Sequence, residues 1–194
     1  VEIGPTSFMI DNTVKENNVD LIVMGSVGAS GLKEVLIGSN TEKIVRKSEA
    51  PVLVVKNEIE DFSINNIVFA SNFELENLEP FKKAKEFANQ FEASIKLLYV
   101  NLPGNQFYST EEIREQMRVF LHKAEIPFTE KDVMIYNDYT IELGVINGAK
   151  EAKAELIIMP THGRRGISHF FNGSIGEDVV NHSTLPVLTF KIDS

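Results

Sequence analysis

The chain has 194 residues, and its hydrophobic content of 43% and near-zero mean hydropathy are typical of an ordinary globular protein. It contains no cysteine, which excludes a disulfide framework and fits a reducing compartment, so we expect a cytoplasmic protein. The net charge of −9 argues against nucleic acid as a partner, and no apolar run approaches the roughly 20 residues that span a membrane.

Residues 1–56 alternate between short apolar runs and segments with helical spacing of apolar residues. The alternation predicts strands at Val1–Ile3, Asp20–Gly25 and Val52–Lys56, and helices at Thr6–Asn17 and Ser39–Ser48. The acidic residues 57–63 follow without such a pattern and are typical of a linker.

The same alternation continues from residue 64 to the end of the chain. It predicts strands at Ile64–Ala70, Ser94–Val100, Asp132–Tyr136, Glu155–Met159 and Pro186–Ile192. The predicted helices are Leu78–Phe91, Thr110–Lys123, Thr140–Ala152 and Ser174–Ser183. Apolar strands that are separated by helices indicate a parallel sheet covered on both faces. Residues 64–194 therefore predict a complete five-stranded α/β unit.

The two segments contain a repeat at a constant offset of 135 residues. Thirteen of the thirty-six positions from Asp20 to Val55 are identical to their partners, and the alignment needs no gap. A match at a fixed period indicates two copies of one supersecondary unit. By this offset the first copy lacks its first two strand–helix pairs, so we expect that the natural protein, or its gene, once continued upstream.

A glycine-containing loop follows the second predicted strand. The loop contains Gly25 and Gly28, then nine further residues, and then Gly38 and Ser39. Ser39 and Glu42 have the spacing of a capping box. Glycines allow close approach of a ligand to the backbone, and a helix N-terminus attracts anions. The loop therefore predicts a phosphate site, although a tight strand–helix connection whose glycines serve only packing is the alternative.

This loop, after an apolar strand and before Pro51-Val-Leu-Val-Val, closely resembles the nucleotide-binding signature of the universal stress protein family. The resemblance implies a Rossmann-like α/β fold of the adenine nucleotide alpha hydrolase-like type, with a parallel five-stranded sheet of order 3-2-1-4-5, here in one and a half copies. Residues 1–56 would be the C-terminal half of a first domain, 57–63 the linker and 64–194 a complete second domain. Units of this family pair through the fifth strand, which implies association through Val52–Val55 and Val187–Phe190. These apolar strands would be sheet edges, so we expect them to pair with each other or with a second chain. Some members bind ATP.

In the first copy the resemblance assigns nucleotide binding to the complete loop, at Gly25, Gly28, Gly38 and Ser39. The strands that would complete its adenine pocket are missing, so we expect that this site cannot form from the chain alone.

In the second copy the resemblance assigns nucleotide binding to Gly163, Gly173 and Ser174, and to Asn72 and Val100 at the ends of the first two strands. Asn72 stands where the family has Asp, and an amide is a weak partner for Mg²⁺. Pro160 replaces the first glycine of the loop, and proline has no backbone N–H to donate. We therefore expect a degenerate site.

Basic residues of the same loop offer a compensation: His162, Arg164, Arg165 and His169 either direct charge at phosphate or form a solvated loop.

Three hypotheses for the function follow. The first is a regulatory module in which ATP or AMP occupies the complete loop of the first copy when its missing strands are supplied, with a doubtful role for Mg²⁺. The second is a scaffold for dimerisation and interaction in the stress response that binds no nucleotide. The third is a slow ATPase or autophosphorylating enzyme, and Asn72 counts against it because phosphoryl transfer favours a carboxylate that holds Mg²⁺.

Overall fold

Seven strands form one mixed sheet in the computed structural model, which describes residues 6–25, 39–56, 63–162 and 173–192. The strands are β1 (Ile22–Gly25), β2 (Val52–Val55), β3 (Asn66–Ala70), β4 (Ser94–Asn101), β5 (Val133–Asn137), β6 (Leu156–His162) and β7 (Val187–Ile192). The helices are α1 (Thr6–Asn17), α2 (Ser39–Lys47), α3 (Leu78–Gln90), α4 (Thr110–Lys123), α5 (Ile141–Glu151) and α6 (Gly173–His182). Short 3₁₀ turns lie at Leu75–Asn77, Gly104–Gln106 and Glu130–Asp132.

These elements follow the predicted order, and their ends differ from the predicted ones by at most three residues. The predicted strand Val1–Ile3 and residues 57–62 of the predicted linker lie outside the described residues. A capping box opens α4, since the side chains of Ser109 and Glu112 each bond to the backbone N–H of the other residue. No helix within the described ranges is long and apolar enough to cross a membrane.

The order of the sheet is β1-β2-β7-β6-β3-β4-β5. All neighbours are parallel except β2 and β7, which are antiparallel. The prediction of a parallel five-stranded sheet is therefore wrong for the sheet as a whole, although the strands of residues 64–192 follow one another as β5-β4-β3-β6-β7. The correction has a physical cause: an apolar strand at the margin of a sheet has unpaired N–H and C=O groups, and β2 satisfies those of β7.

The register between β2 and β7 is symmetric with respect to the sequence repeat. Leu53 pairs with Leu188, its partner at the offset of 135, while Val52 pairs with Thr189 and Val54 with Val187. The two copies thus meet about a local two-fold axis between Leu53 and Leu188, as two subunits do in an isologous interface.

Of the two predicted outcomes for these strands, pairing with each other or with a second chain, the structure has the first, because β2 and β7 pair within the chain. Neither β2 nor β7 therefore lies at an edge of the sheet. The edge strands among the described residues are β1 and β5.

Two apolar cores cover the two faces of the sheet. One contains residues of α2, α5 and α6 packed on alternate strand residues such as Val54, Val68 and Met159. The other contains residues of α3 and α4, with Phe69 and Leu188 from the sheet. Since side chains alternate along a strand, Leu53 joins the second core and its neighbours the first.

Candidate functional site

The strands that follow β3 in the chain are added first on one side of it, as β4 and β5, and then on the other side, as β6 and β7. The switch point of the sheet therefore lies between β3 and β6. From β3 the chain proceeds through α3 and α4 on one face of the sheet, and then through α5 and α6 on the other. In open α/β sheets a crevice forms at the carboxyl ends of the strands at such a switch point, and ligands bind there. The topology therefore places the candidate site after Ala70 of β3 and at the end of β6.

Asn72 lies directly beyond the carboxyl end of β3 and is 4% exposed. Its Oδ1 accepts hydrogen bonds from Asn77 Nδ2 at 2.7 Å and from the backbone N–H of Glu74 at 3.2 Å. Its backbone carbonyl accepts a bond of 2.7 Å from Gln116 Nε2 on α4. These bonds fix the orientation of the amide.

Two polar atoms of this cluster, Asn72 Nδ2 and Asn77 Oδ1, are buried without a hydrogen-bond partner among the described residues. An unpaired buried polar group costs about 1–3 kcal/mol. The free N–H₂ of Asn72 is a donor, so the group that would satisfy it is an acceptor such as a ligand oxygen or a water molecule.

Val100 lies beside Asn72 and is 6% exposed. Both residues line a cavity of about 10 Å³ that α5 closes with Ile141 and Val145. This volume holds about one water molecule. The helix packs very close to β4, because a Cβ at Gly144 would lie 2.3 Å from Val100 Cγ1. Packed side chains therefore occupy the space around Val100, which was predicted to bind nucleotide.

The end of β6 forms the other side of the crevice. Pro160 and Thr161 are buried, and Pro160 stands opposite Phe190 of β7. Gly176 of α6 approaches β6 closely, since a Cβ there would lie 2.9 Å from Thr161 Cγ2. Helix α6 begins at Gly173 and includes Ser174, so the free amides of its first turn belong to these two predicted residues.

Several predicted loop residues cannot be placed. Gly163 lies outside the described residues, together with Arg164, Arg165 and His169. His162 ends β6, and its side chain is not described.

In the first copy, β1 ends at Gly25 and α2 begins at Ser39. The two elements are joined by Thr41, whose buried hydroxyl donates to the carbonyl of Gly25 at 3.4 Å. Gly28 and Gly38 lie outside the described residues. Because β1 is an edge strand, no described strand supplies the second wall of a crevice here.

One polar residue near the site was missed in the sequence. Asn101, at the end of β4, is 5% exposed and makes two hydrogen bonds to the following loop and one to β5. Its Nδ2 donates to the carbonyl of Tyr108 at 3.0 Å and to Asn137 Oδ1 at 3.1 Å, and its Oδ1 accepts from the N–H of Tyr108 at 3.1 Å. A polar residue that ends an otherwise apolar strand was the signal that could have identified it.

Among the described residues that line the cavity, Tyr99 is the titratable one. Burial raises the pKa of Tyr99 to about 12, with Coulombic interactions with Tyr108 and Glu74 as smaller causes, so this phenol is neutral at physiological pH. The described residues contain no cluster of three or more His, Cys, Asp or Glu that could hold a metal ion.

Comparison with known proteins identifies the family. The model of the universal stress protein family matches residues 1–56 and 63–191, so the chain belongs to this family. Universal stress protein MJ0577 of Methanocaldococcus jannaschii is 52% identical over 56 residues, which are 29% of this chain and 35% of that protein. The alignment thus spans about a third of the relative's length.

Solved structures show the same fold. A universal stress protein from Archaeoglobus fulgidus superposes with a TM-score of 0.70 at 24% identity, covering 97% of this chain and 66% of that one. A universal stress protein solved in complex with cAMP has a TM-score of 0.50 at 14% identity, covering 68% of this chain and all of that one (100%).

Proposed function

We propose that this universal stress protein is a regulatory module that binds an adenine nucleotide, ATP or AMP, at the carboxyl ends of β3 and β6. The observation that carries the proposal is the buried, unpaired N–H₂ group of Asn72 at the switch point of the sheet. A ligand oxygen would satisfy this donor, and the first turn of α6 would supply amides for phosphate. The family member solved with cAMP supports a nucleotide as the ligand.

Two residues of this site differ from the family's nucleotide-binding signature, and they predict how tightly it binds a nucleotide. Pro160 removes one amide donor, and the amide of Asn72 offers no carboxylate to Mg²⁺. Entry of a base requires α5 and β4 to separate, since the cavity holds about one water molecule. We therefore expect weak binding that Mg²⁺ stimulates little.

The test is calorimetric titration of the protein with AMP and with ATP, with and without Mg²⁺. The double variant Pro160→Gly with Asn72→Asp should bind ATP with Mg²⁺ roughly 10- to 100-fold more tightly than the wild type. The carboxylate would hold Mg²⁺ in place of the lost N–H₂ contact, and a charge-assisted contact is worth about 1.5–3 kcal/mol. Gly173→Val should abolish binding at this site in both proteins. Tight, magnesium-dependent binding by the wild type, lost in Gly173→Val, would show that the site is not degenerate.

The second candidate function is an interaction scaffold without a nucleotide. The small volume of the cavity and the close packing of Gly144 on Val100 favour it. Absence of binding by both the wild type and the double variant would select this alternative.

We also infer that residues 1–56 and 64–194 are two copies of one unit, of which the first is represented by its C-terminal half. The two separate family matches, the repeat at an offset of 135 and the symmetric register at Leu53 and Leu188 support this inference. In this arrangement the first segment takes the place of a partner subunit at β7.

A further inference from the structure

A second surface of residues 64–192 has the form of a docking site. It is a groove of about 480 Å³ between the 3₁₀ turn Leu75–Asn77 and helix α4. Phe73, Glu74, Leu75, Glu112, Glu115, Gln116, Val119 and Phe120 line it. We call it the α4 groove.

The walls of the α4 groove are apolar and open to solvent. Leu75 is 53% exposed and Val119 is 46% exposed, and they stand on the two elements that border the groove. Exposed apolar side chains that line one concavity mark an interaction surface more strongly than isolated ones do.

The floor of the groove is rigid. It consists of Phe73 and Phe120, which are buried and pack edge to face with ring centroids 5.3 Å apart. Phe73 has a left-handed φ of 55°, which is rare for an aromatic residue, and its N–H donates to Ser71 Oγ at 2.9 Å. A partner would therefore meet a preformed surface, which lowers the entropic cost of binding.

The rim of the groove is acidic. Its eight lining residues include the exposed Glu74, Glu112 and Glu115, and none of them is Lys or Arg. Hydrogen bonds from the hydroxyl and the N–H of Ser109 hold the pKa of Glu112 below its usual value, so its charge persists at neutral pH. Arg118 pairs with Glu115 but is drawn over the ring of Phe128, 5.2 Å from the centroid, and does not line the groove.

We propose that the α4 groove binds a basic amphipathic helix of a partner protein. Apolar side chains of such a helix, spaced by three and four residues, would fill the space between Leu75 and Val119, and its Lys or Arg residues would face the three carboxylates. The acidic rim repels nucleic acid and anionic lipid, which share the negative sign of the groove. The groove adjoins the nucleotide site, because Gln116 lines it and donates to the carbonyl of Asn72, but the helix would bind on the outer side of α4.

The probe for this proposal is a designed amphipathic peptide of Leu and Lys, about four helical turns long, labelled for fluorescence anisotropy. A counterpart in which Glu replaces Lys controls for charge. The wild-type protein should bind the Lys peptide, bind the Glu peptide at least about tenfold more weakly, and lose affinity as salt rises.

Matched variants locate the site. Val119 and Leu143 are both 46% exposed, so Val119→Lys blocks the groove while Leu143→Lys makes the same charge change on α5. We expect Val119→Lys to weaken the Lys peptide by about tenfold or more and Leu143→Lys by no more than about twofold. Glu74→Gln should weaken it by about two- to threefold, and Glu130→Gln, on an exposed turn elsewhere, should have no effect.

Leu75→Ser repeats the test without a new charge, and circular dichroism verifies that each variant is folded. Equal weakening by Val119→Lys and Leu143→Lys would show a general attraction between the peptide and an acidic protein, and would overturn the proposal. Failure of the wild-type protein to bind the Lys peptide would also overturn it.

Discussion

Glu155 connects β6 to the start of β3 through its carboxylate. One oxygen, Oε2, accepts hydrogen bonds of 2.7 Å from the backbone N–H groups of both Asn65 and Asn66. These bonds lower the pKa of Glu155, the bond from Asn66 being the larger cause, because they favour the charged form.

The lowered pKa predicts a loss of stability in acid. A carboxyl group with a lower pKa in the folded state stabilises the fold above its unfolded pKa of about 4.3, and this contribution is lost as pH falls through the folded value. Glu155→Gln should therefore lower the free energy of unfolding by about 1 kcal/mol at neutral pH, after allowance for solvent screening, and by much less near pH 3. Urea unfolding at both pH values measures this, with the exposed Glu151→Gln as the control. An equal loss at both pH values would contradict the assignment.

The residues of the candidate site show what a sequence can predict. The switch-point position of Asn72 followed from the predicted elements and the family resemblance, because both depend on local pattern. The missing partner of its N–H₂ group did not, since it results from the way Asn77 and Gln116 surround the amide in space. The hydrogen bonds of Asn101 were missed for the same reason, as they join three separate stretches of chain.

At the scale of elements, helices α2 and α6 are joined by an ion pair across the local two-fold axis. Arg46 donates two hydrogen bonds to the carboxylate of Glu177, at 2.5 and 2.7 Å, and one of 2.8 Å to Glu42 in its own helix. Glu42 and Glu177 are equivalent positions of the repeat. The bond to Glu177 is the main cause that raises the pKa of Arg46.

This pair should carry a measurable coupling energy. The side chain of Glu177 is only 10% exposed, so removing its partner leaves a poorly solvated charge. We expect Arg46→Met to destabilise the fold by about 2 kcal/mol, and a double-mutant cycle with Glu177→Gln to give a coupling of about 1–2 kcal/mol. The exposed pair of Glu79 and Lys82, 3.8 Å apart, should give less than about 0.5 kcal/mol in the same urea experiment. Equal couplings for the two pairs would show that Arg46 does not hold the two copies together.

The sequence left two outcomes open for β2 and β7, pairing with each other or with a second chain, and it did not decide between them. A short apolar run such as Val52–Val55 has the same pattern in parallel and antiparallel sheets, and in contact with its own chain or another. The order of the helices and strands was predicted because each element has its own periodicity and caps. Pairing of distant strands depends on their complementarity in space, which one sequence does not reveal.

At the scale of the whole molecule, the first segment, residues 6–25 and 39–56, has fewer neighbours in the sheet than residues 63–192. Strands β3, β6 and β7 each have two neighbours in the sheet, whereas β1 has only β2 among the described residues. Val23 of β1 is 62% exposed, and Phe8 of α1 is 61% exposed. A cavity of about 740 Å³ separates α3 from the turns that precede β1 and β2. The first segment meets the rest of the sheet and its helices through β7 and α6.

This asymmetry predicts that the amides of residues 6–25 and 39–56 exchange faster with solvent than those of residues 63–162. Regions with few buried contacts open locally at a lower free energy than the global one, and the difference here should be about 1–3 kcal/mol, or roughly 10- to 100-fold in protection. Native-state hydrogen exchange measures it, in a sample that sedimentation shows to be monomeric.

Two variants test the cause. Val54→Ala, at a site that is 2% exposed and packed against β7, should accelerate exchange in the first segment and leave residues 63–162 nearly unchanged. Val23→Ala, on the exposed edge strand, should alter exchange in neither part. Uniformly slow exchange in the monomer would mean that the first segment is as stable as residues 63–162. Slow exchange that appears only in an oligomer would mean that another chain completes the sheet at β1.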